Sequence, residues 1–415
     1  MIFKITLSVL LCCIALVSAE SYNGYKIYDI HANNVHEKDL LLRLATNENY
    51  DFFDLPKIMG KPARVLIQPV DQANFEATLQ RFGLSYEVIN SDVGRSIAQE
   101  TVQNLRMRTP SEGRISFSKF NRFDEINAYL DEFAAAYPSR VFVKTVGKSY
   151  EKRDMKAITI TNGDGKANKK VIFMDAGIHA REWIAPAGAL YVIHQLVENF
   201  SENAHLLKDY DWVILPVVNP DGYEHTHTKA RMWRKTRKPV KNNCFGTDGN
   251  RNFDFHWGET GASSKDCADT FMGQTAFSEP ETQIVRDMMH SLSGRGKFYL
   301  TLHSYGSYLL YPWGWTSALP ETVDDLDEVA QAGADAIKQS TGGQYTVGSS
   351  TNVLYAAAGG SDDYAFAKAN FPIAITMELP AGGSGFDPSP AQIKPFVAET
   401  WTGIRAMAEK VIAKY

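Results

Sequence analysis

Beyond about residue 115, short apolar runs alternate with longer segments whose apolar residues recur every three or four positions. The runs at 141–146, 156–161, 170–174, 212–218, 298–302 and 374–378 are apolar, often on both faces, as strands sandwiched between helices must be. Helical spacing predicts helices over 124–137, 187–199, 279–293 and 324–341, with 393–415 closing the chain. Alternation of this kind predicts an α/β fold with a mixed, mostly parallel central sheet flanked by helices.

The first part of the chain has a different rhythm. Residues 20–93 read as a small α+β module, with strands at 21–30 and 64–69 and helices at 35–45 and 71–82. A helix over 92–108 follows, carrying Val93, Ile97, Val102 and Leu105 at helical intervals. It runs into a polar stretch with Pro110, Gly113 and three arginines, Arg106, Arg108 and Arg114. Exposed segments of that composition are preferred sites of proteolytic nicking. A folded module, a connecting helix and a basic linker together predict an activation segment. The expected units are 1–19, 20–93, 94–114 and 115–415.

Residues 1–19 read as a signal peptide: Lys4, an apolar stretch over 5–16, and the small-residue cleavage site Val17-Ser-Ala19. No later run approaches the roughly 20 apolar residues of a membrane span. A secreted, soluble chain is expected, with no membrane partner. Cys12 and Cys13 leave with the signal peptide, so Cys244 and Cys267 are expected to pair in an oxidising compartment; two free buried thiols are the alternative. The net charge of −5 gives no reason to expect nucleic-acid binding. The basic run 229–241 reads as a solvated cluster or an anionic-substrate rim. Asn199-Phe-Ser201 permits a glycan.

Chemistry concentrates in Val171-Ile-Phe-Met-Asp-Ala-Gly-Ile-His179-Ala-Arg-Glu182. A strand-like run stops at a glycine and then delivers a histidine and a glutamate three residues apart. That spacing lets an imidazole nitrogen and a carboxylate oxygen converge on one Zn²⁺. His303, ending the apolar run from Lys297, offers a third ligand. Three protein ligands from two segments make an open catalytic zinc site, which implies a zinc hydrolase. The same pattern at His256-Trp-Gly-Glu259 lacks a preceding strand and reads as a surface loop pair.

Five separated motifs then resemble one family, the A/B-type metallocarboxypeptidases secreted as zymogens, and its B type most. Besides the two histidine segments, they are Arg231-Met-Trp-Arg234-Lys-Thr-Arg237, Asp248-Gly-Asn250-Arg251-Asn-Phe-Asp254, and Leu354-Tyr355 with Gly359-Gly-Ser-Asp362-Asp363. The resemblance implies one Zn²⁺ per chain, held by His179, Glu182 and His303. It also implies Glu378, in Ile375-Thr-Met-Glu378-Leu, as the general base, and Arg234 as the oxyanion's partner. Asn250 and Arg251 would hold a free C-terminal carboxylate, Tyr355 would close over it, and Arg181 would serve a subsite further along the peptide.

Asp362 separates the two types. The matching position is apolar in A-type relatives and aspartate in B-type ones, which implies removal of C-terminal Lys or Arg. The alternatives are an A-type preference for apolar residues and a non-catalytic peptide-binding relative. Implied partners are peptide C-termini, a trypsin-like activating protease and the chain's own inhibitory pro-domain; a monomer is expected. One departure is Leu379-Pro380-Ala-Gly-Gly-Ser-Gly385-Phe, where vertebrate digestive relatives carry an arginine-containing run. It looks more like invertebrate members.

Overall fold

The computed structural model describes residues 21–55, 57–107 and 115–415. The expected signal peptide and the linker residues Arg108 and Arg114 lie outside them. Two sheets organise the chain. The N-terminal unit runs β1 (Lys26–His31), α1 (Val35–Leu44), β2 (Tyr50–Asp54), β3 (Ala63–Ile67), α2 (Pro69–Arg81) and β4 (Ser85–Asn90), in the antiparallel order β2-β3-β1-β4. Its own core gathers Tyr28, Ile30, Val65, Ile67, Phe75 and Leu79. Helix α3 (Val93–Arg106) follows, capped where Asp92 accepts from the Arg95 amide.

The larger unit runs α4 (Phe123–Ala136), β5 (Val141–Lys148), β6 (Asp154–Ile160), β7 (Lys170–Ala176), α5 (Ile184–Val197), α6 (Phe200–Asn203), β8 (Tyr210–Leu215), α7 (Pro220–Thr228) and α8 (Pro280–Ser291). It continues through β9 (Gly296–Ser304), β10 (Tyr308–Tyr311), α9 (Val323–Thr341), β11 (Thr346–Ser349), α10 (Ser350–Val353), α11 (Ser361–Ala367), β12 (Ile373–Leu379) and α12 (Pro390–Lys414). The eight strands lie in the order β11-β10-β12-β9-β7-β8-β6-β5. The central four, β12-β9-β7-β8, are parallel, and β6 and β10 flank them antiparallel. The mixed, mostly parallel sheet is thus the one the alternation predicts.

Both faces of the sheet are buried, for the reason the apolar runs suggest. On β7, Ile172, Met174 and Ala176 face one core with α4, α5, α9 and α12, whereas Val171 and Phe173 face a second core under α8 and α11. Sequence expectation and structure differ at several elements. β1 starts at Lys26 rather than residue 21, and β8 ends at Leu215 rather than 218. The strands β2, β4, β10 and β11 and the short helices α7 and α11 had no expected counterpart. Cys244 and Cys267 form the expected disulfide, 23 residues apart in sequence. Among the described residues no helix is long and apolar enough to cross a membrane.

Candidate active site

The site lies at the C-terminal ends of the parallel strands, where α/β folds commonly bind ligands. β7 stops at Ala176 and the chain turns at Gly177, whose φ of +68° suits glycine and where a side chain would meet Pro186 at 2.9 Å. His179 and Glu182 follow on that turn. His303 and Glu378 are the penultimate residues of β9 and β12, and strand register sets them side by side.

His179 Nδ1 lies 2.8 Å from Glu182 Oε1 and 3.2 Å from His303 Nδ1, and His303 Nδ1 lies 3.3 Å from Glu182 Oε2. All three side chains are buried, and among the described residues they form a group whose ligand atoms lie within 4.8 Å of one another. Two nitrogens bound to one tetrahedral zinc would sit roughly 3.3 Å apart, so the observed spacing fits the ion. Burial and Arg234 disfavour a charged His179, whereas burial works against a charged His303 and Glu182, Glu378 and Asp175 raise it to about 9. The zinc cofactor therefore suits the residues present.

Asp248, given no role from sequence, ties the site together. Its Oδ1 lies 3.1 Å from His179 Nε2, which puts the imidazole proton there and leaves the Nδ1 lone pair facing Glu182 and His303. Its Oδ2 accepts from Arg234 Nε at 3.1 Å and Nη2 at 3.0 Å. Burial opposes its ionisation, but Arg234, His179 and Arg251 hold its carboxyl well below the usual range. Glu378 is half-buried, and its Oε2 is buried with no hydrogen-bond partner among the described residues. Burial pushes its carboxyl up to about 8, with Glu182 and Asp54 adding to the effect; a dication nearby would pull it down again.

The cleft beside these residues is also lined by Asn250, Arg251, Tyr355 and Asp362. Arg251 is fixed by bonds from Nε to the Gly261 carbonyl and from Nη1 to the Asn250 carbonyl. Asn250 Oδ1 accepts from the Ser361 amide, which leaves its Nδ2 donors to the cleft. Asp363 is turned away, accepting from the amides of Gly314 and Trp315. One member of the expected set stands apart. Arg181 is absent from the cleft wall and lies buried under the N-terminal unit, donating to Asp51 at 2.6 and 3.2 Å between the rings of Phe53 and Phe386.

The solvated-cluster reading of the basic run 229–241 requires a correction, because Arg231 and Lys235 are buried and Arg234, Arg237 and Lys238 are half-buried, with Arg234 lining the cleft. Arg231 gives a two-point ion pair to Glu100 of α3 at 2.7 and 3.0 Å and stacks on Trp183, and Lys235 is 2% exposed. Its partners come from residues 100 and 248, which a local count of charges cannot see. The pair at His256 and Glu259 joins 2.8 Å apart at the surface, as its sequence context suggests.

Comparison with known proteins gives a consistent result. Residues 126–403 match the family described as zinc carboxypeptidase, and residues 28–100 match carboxypeptidase activation peptide. The chain is 38% identical to carboxypeptidase B of Helicoverpa zea, covering 97% of each chain. It is 37% identical to zinc carboxypeptidase A 1 of Drosophila melanogaster, over 96% of this chain and 94% of that one. The crystal structure of carboxypeptidase A from Helicoverpa armigera superposes with a TM-score of 0.89 at 35% identity, covering 94% of this chain and 98% of that chain.

Proposed function

Since the chain belongs to the zinc carboxypeptidase family, as an A/B-type zymogen with an N-terminal activation peptide, we propose that its activated form removes C-terminal lysine or arginine from peptides. The observation that carries the reading is Asp362, a 5% exposed carboxylate lining the cleft beyond Asn250 and Arg251. A buried carboxylate without a counter-charge is costly, and a basic side chain offsets that cost while an apolar one does not.

His179, Glu182 and His303 would hold the zinc. When bound, the metal supplies Lewis acidity, polarising a carbonyl and acidifying water. Arg251 and Asn250 clamp the substrate's terminal carboxylate, and that clamp limits cleavage to the last peptide bond. Tyr355, in the loop after α10, covers the bound terminus. Glu378 Oε2 takes the proton of the attacking water and returns it to the departing amine as the C–N bond breaks. Arg234, oriented by Asp248, donates to the developing oxyanion.

Further parts of the reading concern the whole chain. Residues 1–19 direct secretion, a trypsin-like protease cuts after Arg106, Arg108 or Arg114, and the enzyme works as a monomer. The pocket assignment is tested with Asp362→Ile after trypsin treatment. Losing one partner of a buried charge pair typically costs about 2–5 kcal/mol, so kcat/KM for C-terminal Lys or Arg should fall roughly 30-fold or more. The rate on C-terminal Leu or Phe should rise. Equal loss on every substrate would make Asp362 structural, and an unchanged profile would move the selectivity to other residues.

A further inference from the structure

The pocket floor carries more than one oxygen. Asp362 Oδ2 has the Thr376 hydroxyl at 3.2 Å and the Ser350 hydroxyl at 3.5 Å, and all three residues line the cleft. Ser350 is held loosely, since its other contact, the Tyr311 carbonyl, is also long at 3.4 Å. The second carboxylate oxygen sits against the backbone. Oδ1 packs against Gly360, where even a methyl group would come within 2.8 Å of it.

We infer that Ser350, Thr376 and Asp362 Oδ2 form a three-oxygen receptor for an ammonium group, so the enzyme prefers C-terminal lysine over arginine. This rests on the proposed preference for basic residues and sharpens it. A lysine ammonium has three donors that turn freely and no acceptor, which matches three clustered oxygens. Each hydroxyl can donate to the carboxylate while accepting from the ammonium. A guanidinium fork needs both carboxylate oxygens side by side in its plane. Here one of them is packed against backbone, so arginine keeps the charge attraction without the paired bonds.

The test uses the full-length chain after trypsin treatment, on matched peptides ending in Lys, Arg or Leu. Hydrogen bonds to a charged group are strong enough that kcat/KM for Lys should exceed that for Arg by roughly tenfold. Thr376→Val and Ser350→Ala should each lower the Lys rate by more than the Arg rate and so narrow the Lys/Arg ratio, and Thr376→Ser should restore that ratio. Arginine cleaved as well as lysine, with both well above leucine, would overturn this inference and leave the basic preference standing. Leucine cleaved best would overturn the basic preference itself. Parallel loss on Lys and Arg in the variants would mean that the hydroxyls merely support the fold.

Discussion

Glu378 and Asp248 have different tasks, and single substitutions separate them. Glu378→Gln keeps size and loses the base, so turnover should drop by about 10²–10⁴-fold while zinc is retained; metal analysis beside steady-state kinetics checks both halves. Near-normal turnover would require another base. Asp248→Asn should act on the metal instead. Partners that orient a ligating histidine typically contribute about 10–100-fold in metal affinity, so this variant should lose zinc to a competing chelator far sooner than wild type. The two residues were unequally visible in the chain. Glu378 ends an apolar run, and the His179, Glu182 and His303 ligands sit at strand ends in a recognisable spacing. Asp248 meets His179 across 69 residues of sequence. Its role depends on where two loops meet, and no local pattern records that.

At the scale of elements, long periodic segments were readable and short ones were not. β10 and β11 span four residues each, too few to establish alternation, although β10 carries the register that flanks β12. Helix α8 shows what periodicity leaves out. Glu281, in its first turn, is 1% exposed, with Oε1 accepting from the Tyr150 amide and Oε2 unpartnered among the described residues. Burial, reinforced by Glu279 and Asp221, pushes its carboxyl from 4.5 up to about 8. The folded state therefore holds this proton across a window in which the unfolded chain has released it. The associated stability is present below about pH 4.5 and lost as pH rises through about 8. Thermal melts of wild type between pH 5 and 8.5 should thus decline more steeply than those of Glu281→Gln. Parallel curves would place the proton elsewhere.

For the whole molecule, the sequence indicated a module, a helix and a cuttable linker, but not how they dock. Docking rests on pairs between distant segments: Asp51 with Arg181, Glu100 with Arg231, and Arg64 with the Ser384 carbonyl. Phe53 and Asp54 also line the cleft beside Glu378. The loop after β12 supplies Ser384 and Phe386 to this contact. Breaking a buried ion pair by removing one partner typically costs about 3–5 kcal/mol. Glu100→Ala should therefore loosen the N-terminal unit and raise hydrolysis of long peptides by the uncut chain. An unchanged rate before trypsin treatment would mean that α3 plays no part in restraint.

A set of peptides identical except for the last residue is incubated with trypsin-treated protein, with and without chelator, and the products are weighed by mass spectrometry. A zinc exopeptidase with a basic preference should take a single residue from peptides ending in Lys or Arg, leave internal bonds intact, change those ending in Leu or Phe little, and cleave nothing with chelator present. Internal cleavage, full activity in chelator, or faster trimming of the apolar termini would contradict that reading.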